Sequence, residues 1–135
     1  MASTAIERLI DAVGYPERAP GGAASFSMQV DGADVLAEER GGRLRLSFAL
    51  AADEAHLPKL ASFAAGRMLR EDAALSVDGG RRPFLWQDAP ASAGAPALAR
   101  LFETFMDSCD WWRSRVEEPR GEEERVQGEL YMIRP

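Results

Sequence analysis

The sequence predicts a single α+β domain with elements in the order α-β-β-β-α-β-β-α, its helices packed on a twisted antiparallel sheet. Three observations lead there. Apolar residues recur at helical spacing near both ends of the chain and once in the middle. Between these stretches lie short runs of period-two alternation, punctuated by Asp-Gly and Gly-Gly pairs that suit tight hairpins. With 135 residues, 46% of them hydrophobic, the chain can fill one core and leaves nothing for a second domain.

Ser3 or Thr4 caps the first helix, because Glu7 follows Thr4 by the spacing of a capping box and Ile6, Leu9, Ile10 and Val13 line one face. Gly14 and Pro16 end it. From Pro16 to Ala24 the chain is rich in Pro, Gly and Ala without periodicity, and reads as an irregular, mobile connector. Phe26, Met28 and Val30 then alternate with Ser25, Ser27 and Gln29, the pattern of a strand with one buried face. Asp31-Gly32 closes a hairpin to a second strand, Asp34 to Glu39. After Gly41-Gly42 a third strand sets Leu44, Leu46, Phe48 and Leu50 against Arg43, Arg45 and Ser47, completing an antiparallel meander.

Leu57 to Arg70 is helical, with Pro58 admitted because it falls in the first turn, where its missing N–H has no partner to lose. Leu57, Leu60, Ala61, Ala64 and Met68 form one stripe, while Phe63 and Gly66 lie on other sides. A helix apolar on two sides fits either a subunit interface or a Phe63 packed beneath a loop. Ala74 to Val77 and Phe84 to Gln87 read as two strands around Asp78-Gly79-Gly80, and Pro83 suggests that the second is an edge strand or begins after it. A linker, Ala89 to Pro96, leads to a last helix, Ala97 to Val116, with Leu98, Leu101, Phe102, Phe105, Cys109, Trp112 and Val116 on one face. Residues 1–116 are thus expected to form the domain, and residues 117–135 a charged, flexible tail.

Charge and composition narrow the chemistry. A net charge of −6 and a pI of about 4.8 argue against a surface built to bind nucleic acid or anionic lipid. No stretch approaches the roughly 20 apolar residues of a membrane span, and Met1 to Val13 lacks a signal-peptide core, so the expectation is a cytoplasmic protein without membrane insertion. Cys109 and His56 are the only residues of their types, which excludes an internal disulfide and multi-cysteine metal clusters. No metal, no cofactor and no catalytic residue is assigned. A small Cys/His enzyme would need an exposed, reactive Cys109, yet this residue falls within the apolar stripe of the last helix. The glycine pairs lack the spacings that cradle phosphate. Trp111, about 100° around the helix from Trp112, falls among Arg100, Glu103, Asp107 and Arg115. Either Arg115 stacks on it or a partner protein takes it as an anchor.

Five segments carry a family likeness: IERLIDAVG (Ile6 to Gly14), FSMQVDG (Phe26 to Gly32), GRLRLSF (Gly42 to Phe48), ALSVDGGRRPFL (Ala74 to Leu85) and LARLFETFMDSCDWWRSRV (Leu98 to Val116). In their order they resemble the type III secretion chaperones of the CesT/Tir-chaperone class. The connector YPERAPGGAA departs from the usual Gly-Leu-Pro stretch of that class. The resemblance implies a homodimer that binds an extended N-terminal segment of a secreted effector and keeps it ready for export without hydrolysing ATP itself. It also implies contact with the ATPase of the secretion apparatus. The effector would add its backbone to an exposed strand edge while alternate side chains enter pockets. Ile6, Leu9, Ile10 and Val13 of the first helix and Phe26, Met28 and Val30 of the first strand would line them. The dimer would form through the second helix and the strand after it, by Leu60, Phe63, Gly66, Leu75 and Val77. The competing reading is a small regulatory or immunity-type adaptor that grips a folded partner through Trp111.

Overall fold

The computed structural model describes residues 4–52, 54–67 and 72–133, with side chains as far as Val116 apart from that of Glu54. Its elements are α1 (Ala5–Val13), β1 (Ser25–Val30), β2 (Ala33–Arg40), β3 (Arg43–Ala49), a 3-10 turn (Glu54–His56), α2 (Leu57–Arg67), β4 (Ala74–Val77), β5 (Pro83–Pro90) and α3 (Ala95–Ile133). The α+β class and the element order are those the sequence predicts. Ser3 and Met68 lie outside the described residues.

Local chemistry explains where α1 begins and ends. The Thr4 hydroxyl accepts the Glu7 N–H at 3.1 Å, satisfying one of the orphan donors of the first turn. At the other end Gly14 adopts a left-handed φ of 70°, and the N–H groups of Gly14 and Tyr15 donate back to the Asp11 and Ile10 carbonyls. Both short hairpins also depend on the left-handed region. Asp31-Gly32 has φ values of 50° and 78°, and Gly41-Gly42 has 58° and 76°, the signs a two-residue turn needs to match strand twist.

All five strands form one antiparallel sheet in the order β1-β2-β3-β5-β4. This corrects the reading of Pro83. Its strand lies inside the sheet, between β3 and β4, and β4 is the edge. Pro83 is tolerated because it is the first residue of β5. It accepts the Leu50 N–H at 3.1 Å on the last rung, where the missing reciprocal bond costs least.

One face of the sheet is covered by α1 and α3. Register sets Met28, Val35, Ala37, Leu44, Leu46, Phe48 and Leu85 on that face, and all are buried. Against them α3 packs Leu98, Leu101, Phe105, Cys109, Trp112 and Val116, the stripe predicted from spacing, of which only Phe102 is half-buried. Gln87 is buried in the same layer and donates to the Thr104 hydroxyl at 3.0 Å, so the polar group gains a partner on α3. Arg8 ties α1 to the residue that follows β5 by donating to the Ala91 carbonyl. The helix backbone of α3 runs on past Val116, where the sequence reading placed its end.

Candidate functional site

The end of α1, the connector and the edge strand β1 together make one surface. Ile6, Leu9 and Met28 lie in the core with no exposed surface, so no ligand reaches them without opening the domain, and Ile10 is buried except for the 4% that faces a groove beside the connector. Val13, Phe26 and Val30 are half-buried where the core meets solvent beside β1, and these form the reachable part of the predicted patch. The sequence reading did not separate the two sets, because periodicity reports which residues share a face and not how deep each lies.

Tyr15 belongs to this surface and was missed, having been assigned to the irregular connector. Its ring meets Phe26 edge to face at 5.9 Å between centroids, and its hydroxyl accepts the Gln29 N–H at 3.0 Å. The local signal existed. A large side chain directly after a left-handed C-terminal glycine commonly turns back onto the fold. The connector is also tied to the sheet where the Ala24 carbonyl accepts the Glu39 N–H at 2.9 Å. Beside it, Glu7, Ile10 and Asp11 of α1 face Arg18 and Ala19 across a shallow groove.

The residues expected at a dimer interface divide in the same way. Leu60 is 2% exposed and belongs to the core, whereas Phe63 and Leu75 are half-buried. Gly66 faces open space, with nothing within 4 Å of a Cβ placed there. Val77, on the β4 edge, is 48% exposed and is the large hydrophobic residue that stands out among those described.

Trp111 is not free at the surface. Its ring meets Phe63 of α2 edge to face at 6.0 Å, and the guanidinium carbons of Arg67 and Arg115 lie 4.0 and 4.6 Å from its centroid. The stacking of Arg115, one of the two alternatives read from the sequence, is present. Arg67 and Phe63 come from another helix and were beyond the reach of helical spacing. Trp111 therefore groups with α2, apart from Val13, Phe26 and Val30.

The uncovered face of the sheet is polar and cross-braced. Arg43 and Asp88 form an ion pair at 2.8 Å, and the hydrogen bond that Arg43 donates to the Asp88 carboxylate, partly offset by desolvation, holds the guanidinium above its ordinary pKa. Arg45 lies 4.2 Å over the Trp86 ring, whose indole N–H donates to Ser76 on β4 at 2.8 Å. Nothing in this face resembles a catalytic constellation. Cys109 is fully buried in the core, out of reach of a substrate. Among the described residues, no group of three or more His, Cys, Asp or Glu side chains is placed to hold a metal ion. No described helix is long and apolar enough to cross a membrane.

Neither a protein-family model nor a curated relative matches the sequence. Solved structures do match the fold. A chain of the HopA1–SchA chaperone–effector complex superposes with a TM-score of 0.65 at 16% identity, covering 81% of this chain and 90% of that one. A chain of the ExsC–ExsE complex gives 0.65 at 16% identity, with 85% and 92% covered. A chain of the heterodimeric ExoU–SpcU complex from the type III secretion system of Pseudomonas aeruginosa gives 0.61 at 17% identity, with 83% and 98% covered. At such identities the likeness is one of architecture, and on that ground the chain has the α+β fold of type III secretion chaperones.

Proposed function

We propose that the protein is a cytoplasmic type III secretion chaperone of the CesT/Tir class that binds an extended N-terminal segment of a secreted effector and keeps it export-competent. The observation that carries this reading is an open sheet edge at β1, flanked by half-buried Val13, Phe26 and Val30, in a fold shared with a chain of the HopA1–SchA chaperone–effector complex. An edge strand offers unpaired backbone groups to an extended segment, and apolar neighbours accept its alternate side chains. Binding of this kind requires no ATP hydrolysis by the chaperone. Delivery to the ATPase of the secretion apparatus would follow from the same role.

A homodimer through α2 and β4 belongs to the proposal. Exposed Val77, half-buried Phe63 and Leu75, and the open surface at Gly66 support that face. The adaptor alternative gains no support from Trp111, whose ring is already engaged by Phe63, Arg67 and Arg115. The test is the native mass of the purified chain by light scattering at micromolar concentration, with copurifying proteins identified. The expected result is twice 14.7 kDa for the wild type, the subunit mass for Val77→Asp, and an effector retained through an extended N-terminal segment. A wild type that stays at the subunit mass overturns the dimer, and a partner held only as a folded domain overturns the chaperone reading.

A further inference from the structure

We propose that Tyr15 is a displaceable guard on the β1 edge, which an incoming strand must push aside to reach the Gln29 amide. The inference rests on the reading of β1 as the docking edge and adds how access to it is controlled.

The register of the sheet decides which backbone groups are on offer. Val30 and Ala33 flank the two-residue turn, so they are the first bonded pair of the hairpin, and Met28 with Val35 and Phe26 with Ala37 follow in alternation. The Glu39 N–H donating to the Ala24 carbonyl continues the same ladder. Ser25, Ser27 and Gln29 therefore turn their N–H and C=O groups away from β2, toward the side on which no strand lies. Of these outward donors, the Gln29 N–H is taken by the Tyr15 hydroxyl at 3.0 Å. The ring of Tyr15 reaches back to Phe26, so the side chain lies along the edge from one residue to the other. Its backbone is anchored by the left-handed turn at Gly14 and by its own N–H, which donates to the Ile10 carbonyl at 3.1 Å.

A strand that adds to β1 needs the Gln29 N–H as a donor to its own carbonyl, and one donor does not serve two acceptors with good geometry. The phenol must then leave, and both its hydrogen bond and its packing on Phe26 are lost. A partner's carbonyl restores the first. Only a large apolar or aromatic side chain, placed opposite Phe26, restores the second. The guard therefore selects extended segments carrying such a side chain at that register and disfavours edge pairing by segments that lack it.

The test uses the full chain, its Tyr15→Phe variant, and synthetic peptides tiled through the N-terminal segments of proteins secreted by its host bacterium. Tyr15→Phe keeps the ring on Phe26 and removes only the hydroxyl. In the free protein, the Gln29 amide of the variant should exchange with solvent about tenfold faster, as loss of one hydrogen bond implies. Peptides that protect the Ser25 and Ser27 amides should bind the variant about 3- to 10-fold more tightly than the wild type, the span of one competing hydrogen bond. Equal or weaker binding by the variant, with those amides protected, overturns the guard and leaves β1 as the docking edge. Peptides that bind both proteins without protecting Ser25 and Ser27, or no binding to either, overturn the docking edge itself and the guard with it.

Discussion

Replacing Phe63 and Trp111 with alanine, singly and together, tests whether α2 is held on α3 within one subunit. Complete burial would make a Trp-to-Ala change worth about 3–5 kcal/mol. Trp111 is only half-buried, so roughly half of that transfer and cavity cost applies. Its edge-to-face contact with Phe63 at 6.0 Å adds about 0.5–1.5 kcal/mol. Each of the two guanidiniums over the ring contributes about 0.5–1 kcal/mol at such a partly wet site. These contributions overlap because they share one ring, and the expected loss for Trp111→Ala is about 2–4 kcal/mol. The sharper quantity is the coupling between the two positions. If the rings meet as described, the double variant should be less destabilised than the sum of the singles by about 0.5–1.5 kcal/mol. Urea unfolding, followed by circular dichroism at one fixed protein concentration, measures it, since association would otherwise shift the midpoints. Additivity within about 0.3 kcal/mol would refute the contact and leave Phe63 turned toward something other than Trp111.

Two further predictions concern single positions. Gly14→Ala should cost about 1–2 kcal/mol through backbone strain alone, because φ is +70° and no atom lies within 4 Å of the added Cβ; a neutral substitution would remove the left-handed cap from the account of how α1 ends. Cys109 in the native protein should react with a thiol reagent far more slowly than in urea, since its sulfur is fully buried in the core. Comparable rates would reopen a Cys/His chemistry.

Much of the fold was legible locally, for reasons that particular residues make plain. The Thr4 and Glu7 pair marked the start of α1, and Asp31-Gly32 and Gly41-Gly42 marked the first two hairpins, because each device involves backbone groups only a few residues apart. The apolar stripe of α3 was legible because one face of a helix must be buried somewhere. The candidate site was less so. Val13, Phe26 and Val30 share faces with Ile6, Leu9, Ile10 and Met28, and only the covering elements distinguish residues at the rim from those in the core. Tyr15 was hidden in a stretch without periodicity, and its partner Gln29 lies on the far side of that stretch.

The sequence by itself determined the α+β class, the order of the elements, the inward faces of β1 and β3 and the stripe by which α3 docks. These follow from turn chemistry and from the periods of helix and strand, which act over a few residues. Only the tertiary structure decided that β5 lies inside the sheet, that β1 and β4 are its edges, and that Trp111 is gripped by Phe63 and Arg67 of α2. It also decided that Tyr15 closes part of the β1 edge. Each of these depends on pairing between segments distant in the chain, where neither residue carries a local mark of its partner.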